Sequence, residues 1–229
     1  MNSILEKKEL VFKPPEPGCA LYLPGLPGGG SKLYDRSPYG NQGAITGANW
    51  VRLPGGLWCL NFDGTDDYVD CGNSANLRFT SSFSVMAWVK WGSDVTSTTI
   101  ISSQNGATSG YYIYVDSNDL LSWGVIGLSP SKGTILAAPS LAKWYHIGIT
   151  YNSMNNELHS FCNGSRIANT SVSGTPVAAT TNLFIGRYAA SQAELMDGLI
   201  ALPKIFSTAL SDFAFINHYN REKRLFGRW

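Results

Sequence analysis

The chain has 229 residues, 44% of them hydrophobic and 12% aromatic, and 17 Lys and Arg stand against 16 Asp and Glu for a net charge of +1. That balance excludes electrostatic capture of nucleic acid or of an anionic membrane. Only 14% of residues are charged, against about a quarter in an average soluble protein, so polarity comes from Ser, Thr, Asn and Gly and suits a neutral ligand or a packed assembly.

Residues 1–17 read as an extended arm. Their last segment, Lys13-Pro14-Pro15-Glu16-Pro17, cannot join a sheet interior and favours polyproline geometry. From Gly18 to Arg224 the chain changes to apolar runs separated by turn residues, and reads as one domain. Runs at 20–23, 57–62 and 68–71 come first, the last two joined by the acidic turn Asp63-Gly64-Thr65-Asp66-Asp67. Gly64 supplies backbone freedom there, and the Asp side chains cap their own turn.

Phe83, Val85, Ala87, Val89 and Trp91 then alternate with Ser84, Met86, Trp88 and Lys90, the period of two of a strand. Further strands are predicted at 99–102, 110–115 and 120–126, with Asp116-Ser117-Asn118-Asp119 as a hairpin turn. A second hairpin pairs 144–151 with 157–163, and 182–188 and 198–206 complete the set. Strands so spaced, without βαβ alternation, indicate an all-β sandwich or jelly roll. One helix follows. Ser211 N-caps it, Asp212 complements its dipole, and Phe213, Ile216 and Tyr219 or Asn220 share a stripe. Residues 225–229 form an apolar tail. Leu225, Phe226 and Trp229 there, like Ile4, Leu5, Leu10, Val11 and Phe12 in the arm, are too apolar for solvent, and a homo-oligomer held by these termini is expected.

Met1 to Leu10 lacks the long apolar run of a signal peptide, and no segment reaches the roughly 18 apolar residues of a membrane span. Membrane insertion is not expected, and a virion or a cell surface is an open compartment. Cys19, Cys59, Cys71 and Cys162 form no CxxC pair, and no His is placed with them so as to suggest a zinc site. Cys59, Cys71 and Cys162 lie in or beside apolar strands and read as small buried hydrophobes; a disulfide cannot be assigned from spacing.

Five segments together carry a family resemblance: Asp35, Ser37, Asn41 and Gly43; Phe62-Asp63-Gly64-Thr65-Asp66-Asp67-Tyr68-Val69; Trp144, His146, Ile147, Gly148, Thr150 and Tyr151; Asn163-Gly164; and Leu183, Ile185 and Gly186. In this order they resemble the laminin G-like domains of the concanavalin A-like lectin/glucanase superfamily. The resemblance implies a jelly-roll β-sandwich of two antiparallel sheets, with a short C-terminal helix here, and a binding role. Where relatives carry an acidic pair, this chain has Ala201 and Leu202. The loop Arg187 to Glu194 has a lone carboxylate where pentraxin-like relatives cluster acids for calcium. No metal or other cofactor is therefore expected; the alternative is a structural calcium ion near Asp35 and Asp63.

A retaining glycosidase needs two carboxylates about 5 Å apart, and no predicted strand carries such a pair. No catalytic residue is assigned, and His146, His159 and His218 read as structural. Tyr111, Tyr112, Tyr114, Trp123, Trp91 and Tyr188 lie in or beside strand ends, where rings can stack on sugar faces while amides bond hydroxyls. Gln104, Asn105, Tyr111, Tyr112, Trp123 and Tyr188 are the ligand-binding candidates, near the loop 104–109. The leading expectation is a non-catalytic, lectin-like binder of a glycan or glycosylated surface. The alternative is a structural or assembly protein, such as a virus or phage capsid or surface component.

Overall fold

In a computed structural model, the structure describes residues 16–26, 28–93 and 95–227. The arm residues 1–15 and the tail residues 228–229, with the oligomer contacts expected of them, lie outside this range. Among the described residues, the chain begins with β1 (Cys19–Tyr22), β2 (Lys32–Leu33), β3 (Gly43–Thr46), β4 (Asn49–Arg52), β5 (Trp58–Asp63) and β6 (Tyr68–Asp70). The middle third holds β7 (Phe83–Trp91), β8 (Thr98–Ser102), β9 (Tyr111–Val115), β10 (Leu120–Val125), β11 (Leu128–Ser129) and β12 (Lys132–Ala137). Then come β13 (Tyr145–Asn152), β14 (Glu157–Cys162), β15 (Ser165–Ser171), β16 (Ser173–Gly174), β17 (Phe184–Ile185), β18 (Asp197–Phe206) and helix α1 (Asp212–Glu222).

Two antiparallel sheets of eight strands form the sandwich. The first runs β15-β14-β13-β7-β18-β5-β4, with β1 also paired to β18; the second runs β12-β10-β9-β8-β17-β6-β3-β2. Strand β7 shows why they stack. Phe83, Val85, Ala87, Val89 and Trp91 point into the core between the sheets, with Ile101, Ile113, Trp123 and Ile185 opposite. The alternate residues Met86 and Trp88 are as deeply buried, in a second cluster on the outer face of the first sheet. Helix α1 covers that face.

Ser211 caps α1 by accepting from the Ala214 amide at 3.2 Å, as its sequence position predicts. The stripe it buries is a different one: Phe215, His218 and Glu222 face the sheet, while Phe213 and Ile216 are 72% and 42% exposed. The reason lies beneath the helix. The Lys204 ammonium on β18 needs a counter-charge and the Trp88 indole an acceptor, and Glu222 meets both, at 2.6 and 2.8 Å. Phe161 and Phe215 stack at 3.8 Å and anchor the first turn.

The C-terminal residues correct an expectation. Leu225 and Phe226 do not await a neighbouring copy: Phe226 stacks on Trp88 at 4.1 Å and lies 4.6 Å from Trp144 within its own chain. Ala201 and Leu202, in place of the family's acidic pair, are buried in the same cluster. All four cysteines are free and buried. Strands β12 and β15 carried no apolar alternation strong enough to be predicted. Both are edge strands, held by backbone pairing to one neighbour with mostly solvated side chains.

Candidate functional site

The outer face of the second sheet is built by cross-strand register. Phe184 lies opposite Ser102, Ser102 opposite Tyr112, and Tyr112 opposite Gly124. Their neighbours in sequence, Ile185, Ile101, Ile113 and Trp123, belong to the core, so this row faces outward by the alternation of the pleat. Gly124 is required here: a Cβ on it would fall 2.0 Å from Cζ of Tyr112. The missing side chain lets the tyrosine ring lie across β10. Tyr114, two residues along β9, meets Tyr112 edge to face at 5.0 Å.

These residues floor a hollow of about 240 Å³, lined by Thr99, Ser102, Gln104, Tyr112, Tyr114, Tyr188 and Glu194. Two loops close its sides and are tied to each other. The Tyr188 hydroxyl accepts from the Gly106 amide at 3.0 Å, and Gln104 Nε2 donates to the Gly106 carbonyl at 2.8 Å. On the far side Thr99 Oγ1 donates to Glu194 at 3.0 Å, while the Thr99 amide donates to the Glu194 carbonyl at 2.7 Å. Burial first, then the nearby Tyr114 and Glu194, push the Tyr112 phenol up to about 12. Its hydroxyl therefore stays a proton donor at neutral pH. Rings, a hydroxyl donor, an amide and one carboxylate thus converge on a small polar hollow.

Of the six predicted ligand residues, Gln104, Tyr112 and Tyr188 line it. Asn105 sits alongside and builds the loop, donating through Nδ2 to Thr180 at 3.0 Å and through its amide to Ser109 at 2.9 Å. Tyr111 and Trp123 are corrections. They are 2% and 0% exposed and face the core, Tyr111 against Phe83 at 5.1 Å with its hydroxyl on the Leu77 carbonyl at 3.2 Å. Alternation turns Tyr111 inward once Tyr112 faces out, and Trp123 inward once Gly124 faces out. Trp91 is buried too, its indole donating to Thr98 at 3.0 Å. The shared parity of Tyr114 and Tyr112 was a usable signal in sequence. Thr99, Ser102 and Glu194 carried none, since only the fold brings them together.

The three histidines lie away from the hollow. His146 is fully buried beneath α1, 5.1 Å from the Trp88 ring, and neither ring nitrogen has a hydrogen-bond partner. His159 stands between Glu157 and Asp212 at 3.4 and 3.6 Å. His218 lies 3.1 Å from Glu222 and 3.4 Å from Glu16.

The two aspartates considered for calcium belong to separate networks. The Asp35 carboxylate accepts from the amides of Tyr22, Ser37 and Asn41 and from the Ser37 hydroxyl, all within 2.8 Å. Donors on both oxygens stabilise that carboxylate without a cation. Asp63 groups instead with Asp66 and Asp67, their oxygens within 4.8 Å of one another. Asp67 in turn accepts from the Asp63 amide at 2.9 Å, and the Asp63 side chain from the Thr65 amide at 2.8 Å, as capping residues of the turn.

A laminin G family model, described as concanavalin A-like lectin/glucanases superfamily, matches residues 63–213. No curated protein sequence matches the chain. Among solved structures, the binding domain of Paraclostridial Mosquitocidal Protein 1 is similar with a TM-score of 0.70 at 14% identity, over 89% of this chain and 52% of that one. A structure of botulinum neurotoxin type C, whose cell entry depends upon interaction with two ganglioside molecules, superposes with a TM-score of 0.64 at 19% identity, over 89% and 51%. The binding domain of botulinum neurotoxin DC, in complex with rat synaptotagmin II, gives 0.63 at 21%, over 89% and 51%. The chain thus spans about half the length of each of these domains, and at these identities the likeness is one of fold.

Proposed function

Because the chain belongs to the concanavalin A-like lectin/glucanases superfamily, we propose that it is a non-catalytic binding module that takes a glycan into the hollow over β8 and β9. One observation carries the reading. The Tyr112 and Tyr114 rings stand beside the Gln104 amide and the Glu194 carboxylate in a space of about 240 Å³. That is below the roughly 300–1,000 Å³ of pockets for drug-sized ligands, and suits one sugar ring. A ring of this kind offers a flat apolar face to tyrosine and hydroxyls to amide and acid.

Two further facts support the proposal. The hollow is lined by a single carboxylate, Glu194, whereas glycoside hydrolysis of the usual kind employs two. The similar toxin domains are binding domains, one of them from a toxin that depends on gangliosides. A broad glycan array tests the reading, followed by titration of Tyr112→Ala with the best ligand and a reducing-end assay. Binding lost in the variant is the expected result. Silence across the array refutes the glycan reading, and turnover abolished by Glu194→Gln refutes its non-catalytic half.

A further inference from the structure

Resting on that glycan reading, we propose that the ligand is an acidic sugar, whose carboxylate is taken by Arg187. Arg187 directly precedes Tyr188, which lines the hollow. Its guanidinium is packed against two rings, with Cζ 4.0 Å from the Phe184 centroid and 4.6 Å from that of Tyr68. Those rings themselves meet edge to face at 5.7 Å. Cation–π attraction to the two rings holds the guanidinium in place while removing part of its water.

The cation held there lacks an acid. Among the described residues no carboxylate pairs with Arg187, and its Nε is sealed from solvent without a hydrogen-bond partner. By contrast Lys204, a buried cation on the first sheet, has Glu222 at 2.6 Å. Nor are the nearby acids at liberty. Asp70, opposite Phe184 in the ladder, accepts from the Gly72 amide at 2.8 Å and through both oxygens from Asn182 at 3.0 Å. Glu194 accepts from Thr99.

Register sets the spacing between this cation and the hollow. Phe184, beneath the guanidinium, lies opposite Ser102 on the floor, and Ser102 opposite Tyr112. Neighbouring strands are about 4.8 Å apart, and the cation lies between Phe184 on β17 and Tyr68 on β6, so it stands about one to two strands from the Ser102 floor on β8. A glycan with one ring over Tyr112 and Ser102 and the next extending across β17 can present a carboxylate, of a uronic or sialic type, to Arg187. The planar fork of arginine accepts such a group in a bidentate manner. The low overall charge favours a neutral ligand only as an average; one unpaired guanidinium beside the hollow outweighs it locally.

The test is a set of paired ligands on the intact protein: 3′-sialyllactose and trigalacturonate against lactose and galactotriose, titrated at 50 and 300 mM salt. The acidic member of a pair is expected to bind at least tenfold more tightly at low salt, with the gap narrowing at high salt. Arg187→Gln should abolish the gap and leave residual neutral binding. Since Arg187 also covers two rings, the methyl ester of the same acidic sugar supplies a ligand-side control on the unaltered protein, and should bind like the neutral one. Equal binding of acid, ester and neutral sugar, or an acid preference that survives in a folded Arg187→Gln, overturns the inference while the glycan reading stands. Binding of no acidic or neutral glycan at all overturns both.

Discussion

The Lys204 ammonium and the Glu222 carboxylate meet at 2.6 Å beneath helix α1, with 5% and 9% of the two side chains exposed. Burial alone would raise the Glu222 carboxyl, but Lys204 and His218 together hold it well below its ordinary range. The same carboxylate accepts from the Trp88 indole at 2.8 Å. One acid at the end of the helix therefore satisfies groups on β7, β18 and the helix itself, and it fixes which face of α1 turns inward.

Removing that acid should leave a buried ammonium without a counter-charge. Glu222→Gln is expected to cost roughly 3–5 kcal/mol, the range for breaking one side of a buried pair. The double variant Lys204→Met with Glu222→Leu should recover part of the loss, because neither charge is then desolvated although the Trp88 indole loses this acceptor. Urea unfolding of both variants checks this, and a Glu222→Gln cost below about 1 kcal/mol on the same scale would contradict it.

Acid should destabilise the fold before the carboxylates titrate. Burial first, with Lys204 and His218 adding, holds the His146 imidazole down to about 3, against 6.5 for the free group. The unfolded chain therefore binds a proton below about 6.5 that the native state refuses. Stability present above that pH falls as pH drops towards about 3, by on the order of 1 kcal/mol per pH unit. Glu222, lowered in the fold, adds a loss that begins only near its unfolded value of 4.5. His146→Phe, placed among Trp88, Phe215 and Tyr219, should flatten stability between pH 6.5 and 5 while leaving the lower window. Chemical denaturation across this range reads the two windows separately.

Two glycines should separate binding from stability. Gly124→Ala places its Cβ against the Tyr112 ring on the outer face, and Gly133→Ala places its own 2.7 Å from the Trp123 ring in the core. The first is expected to weaken glycan binding more than tenfold. The second should lower the melting temperature by several degrees, with affinity unchanged in the folded fraction. The reverse pattern in calorimetry would place the binding surface elsewhere.

Metal independence remains our proposal for this chain. The Asp35 carboxylate already accepts four donors, and a chelator should shift the melting temperature by less than a degree. A rise of several degrees with millimolar calcium would require a native-state site by mass action. Asp63, Asp66 and Asp67 would be the residues to replace first.

The thiols should be silent until the protein unfolds. Burial pushes Cys19 and Cys59 up to about 12 and Cys162 to about 11, and raises Cys71 as well. Little thiolate is available at neutral pH, and access is closed. A colorimetric thiol count near zero in the native state and four in denaturant is the expected result.

Much of this architecture could be read from the chain directly. The alternation in Phe83–Trp91, the polar turns at 116–119 and 152–156, and the Ser211 cap are local signals, each set by the pleat, by turn chemistry or by unpaired helix amides. The order of the motifs from Asp35 to Gly186 named the fold. Alternation also separated Tyr111 from Tyr112 into opposite faces. Which of those faces was the core depended on the sheet that closes over Phe83 and Ile113, and sequence periodicity carries no information about that partner. The same limit governs α1. Phe213 and Ile216 form the more apolar stripe, yet Phe215, His218 and Glu222 turn inward, because Lys204 and Trp88 lie underneath. The hollow itself joins β8, β9 and the loop after β17 through interstrand register. Its residues Thr99, Tyr112 and Glu194 are neighbours only because backbone hydrogen bonds align strands far apart in the chain, and so the fold was legible locally while the site was settled by tertiary pairing.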